Sequence, residues 1–214
     1  MHIAVLGTGT VGKSVAYALS RRGHQVVVGT RDPDRADVAA WAAESGVPVR
    51  PFESVATEAA VVVNATAGAA SLTVLERVGG DVDGRVLLDV SNPLDFSRGF
   101  PPSLVLGPGG ASLAEQIQAV HPRAAVVKAL NTVAAEVMVE PAAVPGLHHL
   151  PVCSDDDDAK ALVLGLLGEL GWRPDQLLDL GPLSAARGME AYVLFWVHVY
   201  RTIGTGRFNV RVVR

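Results

Sequence analysis

Apolar residues in this chain gather in short uninterrupted runs instead of alternating with polar ones. Ile3–Leu6, Ala59–Ala65 (AAVVVNA), Arg85–Val90 (RVLLDV) and Ala124–Lys128 carry this pattern, which predicts strands buried on both faces of a parallel sheet. Gln25–Val28 begins another strand, and Pro48–Phe52 is a short one. Between them the spacing turns helical: Val11, Val15, Ala16, Ala18 and Leu19 recur over Thr10–Arg22, and Gly23 stands where that helix stops. Asp34–Ser45, Leu72–Val78 and Ser112–Val120 read as helices, the first two closed by glycines, and Val133–Met138 as a helical turn. Past Pro145 the order is strand (His149–Cys153), helix (Asp156–Leu170, with Ser154 as its cap), strand (Gln176–Leu180) and long helix (Ala185–Ile203). Phe208–Val213 is available as an edge strand.

This succession predicts an α/β fold: a Rossmann-type, doubly wound, mainly parallel sheet with a small C-terminal α/β extension ending in a long helix. The expected division is a dinucleotide-binding domain over 1–145 and a small domain over 146–214 that completes the active site and offers a dimer interface. The Pro/Gly-rich stretch from Ser91 to Gly110 is long for a loop in a compact domain and is expected to be functional or lid-like.

Composition narrows the function. With 214 residues, 49% of them hydrophobic and 19% charged, the chain has ample material for a globular core. The net charge of −4 and the lack of a basic stripe with interleaved aromatics argue against nucleic acid as a partner. One cysteine, Cys153, suits a reducing compartment and reads as a small buried hydrophobe. No charged leader precedes the first strand, and the apolar run Tyr192–Tyr200 is about half the ~20 residues that cross a bilayer, so a cytoplasmic protein without a membrane partner is expected. That run reads as a core or subunit-contact helix, with Phe195 and Trp196 in such contacts and not at a cofactor. The acidic run Asp155–Asp158 lacks the alternation of a calcium loop, and His148 and His149 point to opposite sides, so no metal is expected.

The chemistry concentrates at residues 7–12, GTGTVG. Gly7, Gly9 and Gly12 keep the G-x-G-x-x-G spacing directly between a buried strand and a helix, with a second strand following within about 30 residues. In that context Gly7 makes the tight turn, Gly9 lets backbone approach a pyrophosphate, and Gly12 lets helix lie close on strand. The free amides and dipole of the helix start favour an anion. The second strand ends in Thr30-Arg31-Asp32, a hydroxyl and a guanidinium fork that suit the 2′-phosphate of NADP(H), with Arg35 as a second cation. Asp32 precedes Pro33 and is expected to cap the next helix.

Laid side by side, GTGTVG (7–12), GTRDPDR (29–35), DVSNPL (89–94), KALNT (128–132), PVCSDDDDAK (151–160) and DLGPLSAAR (179–187) resemble the NADP oxidoreductase, coenzyme F₄₂₀-dependent family over nearly the whole chain. DLGPLSAAR is the most distinctive of these. The resemblance implies a homodimer passing hydride between NADPH and the deazaflavin coenzyme F₄₂₀ or a flavin-type acceptor. It also places the pyrophosphate on Thr8, Gly9, Thr10 and Val11, the 2′-phosphate on Thr30, Arg31 and Arg35, and Thr66 and Ala67 beside the nicotinamide half. Family members often carry consecutive basic residues where this chain has Arg31-Asp32.

Strand carboxyl ends supply the expected pocket: Thr66–Gly68, Asn92, Pro93, Asn131 and Thr132. Two other readings stay open. Lys128, three residues before Asn131, could protonate a carbonyl in an NADP-dependent reductase of a small keto or imino acid. Alternatively, the protein is a non-catalytic NADP-binding redox sensor.

Overall fold

The computed structural model describes residues 1–213. Ten strands and seven helices follow in the order β1 (His2–Leu6), α1 (Thr10–Ser20), β2 (Gln25–Thr30), α2 (Ala36–Ser45), β3 (Val49–Pro51), β4 (Val61–Asn64), α3 (Gly68–Val78), β5 (Val86–Asp89), β6 (Leu94–Asp95), β7 (Ser103–Leu104), α4 (Leu113–Val120), β8 (Ala125–Ala129), α5 (Ala135–Val139), β9 (Leu150–Ser154), α6 (Asp157–Glu169), β10 (Leu177–Asp179) and α7 (Ala186–Ile203). Eight of the strands form one sheet in the order β10-β9-β8-β5-β4-β1-β2-β3. Six run parallel, and β9 and β10 run together against them. β1 is flanked by β2 on one side and β4 on the other, so the winding reverses there and opens a crevice at the strands' carboxyl ends. Strands from both sides of residue 145 share this sheet.

The uninterrupted apolar runs are explained by helices on both faces. Ile3, Val5, Val61 and Val63 pack toward α1, α5 and α6, while Ala4, Leu6, Val62 and Leu87 pack toward α3, α4 and α7. α1 ends as Gly23 predicts: in a left-handed conformation (φ 88°) it donates to Ser20 O while His24 N–H reaches Leu19 O.

Three local expectations are corrected. α2 starts at Ala36, because Asp32 spends its carboxylate on the Asp34 amide, folding a turn ahead of the helix and leaving Arg35 at the N-cap. Asp156, not Ser154, caps α6 by accepting from Ala159 N–H, since the Ser154 hydroxyl is drawn to Val126 O. Residues 208–213 form no strand: Val212 N–H is taken by the His149 ring and Asn209 bonds His149 O, which breaks any ladder.

Candidate functional site

The turn after β1 is built as tightly as backbone allows. Gly7 has φ 109°, and a Cβ there would lie 2.7 Å from Ala65 O; one at Gly12 would lie 2.1 Å from Gly7 O. A Cβ on Gly9 would meet nothing within 4 Å. The two outer glycines thus press α1 onto β1 and β4, while the middle one leaves open the space that a pyrophosphate approaching the backbone needs. Gly9 is the N-cap of α1 with no side-chain cap, and no acidic residue lies in the first turn, so the helix start is free to meet an anion. Thr8 and Thr10 flank it, with Thr10 exposed.

At the end of β2, Thr30 is buried and Arg31 and Asp32 are exposed. Arg35 is also on the surface, where its guanidinium holds Asp37. The residues expected at the pyrophosphate and 2′-phosphate therefore share one edge of the sheet.

Beyond the glycine turn, a cleft of about 440 Å³ opens at the winding reversal. Thr66 and Ala67 after β4, Asn92 after β5 and Asn131 after β8 line it, opposite Val193 and Trp196 of α7. The long loop reaches the cleft: β6 and β7 pair as a small antiparallel ribbon, and the turn between them brings Phe96 and Phe100 to it. Arg201 lies over the Phe100 ring at 5.9 Å, joining ribbon to α7. None of the residues lining this cleft carries a group that titrates near neutral pH. A groove of about 590 Å³ at the opposite edge, beside His2 and Gln25, contains none of the expected residues.

Trp196 was expected to be a core or subunit contact, yet it forms part of the cleft wall. Its indole is stacked between Tyr200 and Phe208, with centroids 5.4 and 5.2 Å away, which fixes its orientation. Its place in the long C-terminal helix was legible, but what that helix faces was not. Three expected pocket residues lie elsewhere. Pro93 is buried behind Gly68, whose Cβ position would be 2.7 Å from the proline Cα. Thr132 is buried and borders a separate cavity of about 180 Å³ on the other side of α7.

Lys128 is the main correction. It is wholly buried, and its three N–H groups go to Asp89 Oδ2 (2.6 Å), Ser91 O (2.7 Å) and Glu190 Oε1 (2.9 Å). Burial by itself would lower the ammonium pKa, but the carboxylates of Asp89 and Glu190 outweigh it and hold the group above the ordinary lysine range. An ammonium so held neither faces the cleft nor releases a proton to a carbonyl.

The lysine belongs to a polar row beneath the cleft. Asn64, Asp89 and Lys128 stand in register across β4, β5 and β8. Asn64 Nδ2 donates to Asp89 Oδ1 at 2.9 Å, and Thr66 Oγ1 donates to Asn64 Oδ1 at 2.7 Å, so the loop on the cleft wall is tied to the buried charges. Glu190 closes the row from α7 and also accepts the Leu113 and Ala114 amides at the start of α4. The sequence hint was three adjacent strands ending in polar residues; nothing local pointed to Glu190. Cys153, buried in the same row, has its thiol pushed up to about 12 by burial. Among the described residues no three His, Cys, Asp or Glu side chains gather as a metal site, and no helix is long and apolar enough to cross a membrane.

Residues 2–93 match the NADP oxidoreductase, coenzyme F₄₂₀-dependent family. A crystal structure of a candidate F₄₂₀-dependent NADP-reductase from Arthrobacter sp. FB24 superposes with a TM-score of 0.93 at 43% identity, covering 99% of each chain. The chain belongs to that family. It is an NADP-dependent oxidoreductase. The F₄₂₀-dependent NADP reductase of Methanocaldococcus jannaschii is 28% identical over 96% of each chain. Metalloreductase STEAP3 of Rattus norvegicus is 29% identical over 90% of this chain, which spans only 36% of that protein.

Proposed function

We propose that the protein passes hydride between NADPH and a deazaflavin such as coenzyme F₄₂₀, or a flavin-type acceptor. The observation that carries this reading is a cleft at the winding reversal, beside the glycine turn, walled by apolar and neutral polar side chains alone. Such a cleft can hold two flat rings face to face at about 3–3.5 Å and exclude water, which is what direct hydride transfer demands of a protein. NADPH supplies the hydride from its nicotinamide. Gly9 and the start of α1 would receive the pyrophosphate, Thr30, Arg31 and Arg35 the 2′-phosphate, and Thr66 and Ala67 the nicotinamide half. Asn92, Asn131, Val193 and Trp196 would border the acceptor. Names of relatives support this choice of acceptor: both the Arthrobacter and the Methanocaldococcus proteins carry F₄₂₀ in theirs.

The keto- or imino-acid reductase reading needs a proton donor in the cleft, and the engagement of Lys128 removes the one it relied on. The test mixes protein and NADPH with F₄₂₀, then FMN, then keto acids, following absorbance at 340 nm. Oxidation with F₄₂₀ or FMN alone is expected. Oxidation with keto acids alone, or binding with no turnover, refutes the proposal and favours the reductase or the sensor respectively.

The same reading extends to assembly in a cytoplasmic homodimer. Segment 146–214 closes the cleft through α7, whose outer face leaves Phe195 and Ile203 about half exposed, apolar surface suited to a second subunit. Sedimentation equilibrium is expected to give twice the chain mass at micromolar concentration; a single-chain mass rejects the dimer.

A further inference from the structure

At the adenosine end of the proposed site two cations, Arg35 and Lys13, already have an anion. Arg35 grips Asp37 with two hydrogen bonds, Nε to Oδ1 at 2.5 Å and Nη2 to Oδ2 at 2.9 Å. Lys13, in the first turn of α1, comes to the same residue: its ammonium is 3.8 Å from Asp37 Oδ2, donates to the Asp37 carbonyl at 3.4 Å, and lies 5.7 Å from the Trp41 ring centroid. The Arg35 hydrogen bonds are the chief cause holding the Asp37 carboxyl below its ordinary range. Both Arg35 and Asp37 are more than half exposed, so the pair does little for the fold. Asp32 accepts the Asp34 amide and acts on Arg35 more weakly than Asp37 does.

We propose that Asp37 is a specificity-determining residue, a resident counter-ion whose competition for Arg35 and Lys13 sets how strongly the protein prefers NADP(H) over NAD(H). The inference rests on the assignment of the 2′-phosphate to Thr30, Arg31 and Arg35. Asp37 holds the Nε–Nη2 edge of Arg35, an edge that takes a carboxylate or a phosphate bidentately, so a 2′-phosphate that uses this edge displaces Asp37. The displaced carboxylate stays attached to the first turn of α2 and repels the dianion that replaced it. NAD(H) carries a hydroxyl at that position and needs neither cation, so its affinity is indifferent to Asp37. One unit charge about 6 Å from a phosphate dianion in water is worth about tenfold in affinity before screening, and about threefold at physiological salt.

The experiment titrates NADPH and NADH into the wild type and into Asp37→Asn, Arg35→Ala and Lys13→Met, at 0.15 M and 1 M NaCl, with melting temperatures as a fold control. Asp37→Asn is expected to tighten NADPH three- to tenfold at 0.15 M and less at 1 M, with NADH within twofold of wild type. Arg35→Ala and Lys13→Met are expected to weaken NADPH selectively. An unchanged or weaker NADPH affinity in folded Asp37→Asn, or equal tightening of both nucleotides, overturns the inference. If Arg35→Ala still lowers the NADPH to NADH ratio in that case, the phosphate assignment stands and only the role of Asp37 falls. If neither cation variant moves the ratio, both fall together.

Discussion

Single residues here differ in whether the fold itself needs them, and glycine shows the difference. A methyl on Gly12 would press into Gly7 O at 2.1 Å, whereas one on Gly9 would enter open space. Gly12→Ala is therefore expected to destabilise by about 3 kcal/mol, the upper range for overpacking. Gly9→Ala should melt within about 2 °C of wild type yet bind NADPH at least about tenfold more weakly, one missing phosphate contact's worth; calorimetry and thermal melts on both variants check this. Lys128 makes the same point for charge. Replaced by methionine, it would leave Asp89 and Glu190 as buried carboxylates without a cation, at a cost of about 3–5 kcal/mol. In a chain of this size that lowers the melting midpoint by about 10 °C. The triple variant Lys128→Met, Asp89→Asn, Glu190→Gln should recover most of the loss, and no recovery would mean that packing, not charge, is what the lysine provides.

Between elements, two links join α4 to α7, the helix that walls the cleft. Glu115 in the first turn of α4 completes a capping box with Ser112 and receives Arg187 of α7 at 2.7 and 2.8 Å. Arg187 is the largest cause holding the Glu115 carboxyl at about 2. Its pKa in the folded chain thus lies below that in the unfolded chain, so the unfolded state takes up the proton first on acidification. The stabilisation is complete above pH 4.5, the ordinary value, and is lost as pH falls from there toward 2. Urea midpoints at pH 5 and pH 3 should fall less in Arg187→Met than in wild type; equal falls would show that the two helices are not coupled through this pair. The second link, Glu190 on the start of α4, explains why α7 docks at one rotation: Glu190, Val193 and Val197 share a face, so anchoring the first sets where the others meet the cleft.

For the molecule as a whole, the neutral cleft implies a pH-independent chemical step. No lining side chain titrates near neutrality, so the single-turnover rate of hydride transfer is expected to vary less than about twofold between pH 6 and 9. A bell-shaped profile in stopped flow would point to an acid or base that the cleft does not contain. Nucleotide affinity should instead carry the salt dependence, because the charged groups stand at the end proposed for the adenosine.

What the sequence determined was whatever is written in neighbours. Runs such as IAVL and AAVVVNA announce strands covered on both faces, GTGTVG announces a tight turn against a helix start, and those signals suffice for the sheet and that turn because strand burial and turn geometry are local properties. Only the tertiary structure could decide the fate of Lys128. Its partners lie 39 and 62 residues away, on another strand and on the last helix, and whether an ammonium faces solvent, substrate or two carboxylates depends on what the rest of the chain packs around it. Trp196 follows the same rule, since the cleft it walls exists only once distant elements meet, and Asp37, which holds Arg35 from two residues away, gains Lys13 only when α1 and α2 come together.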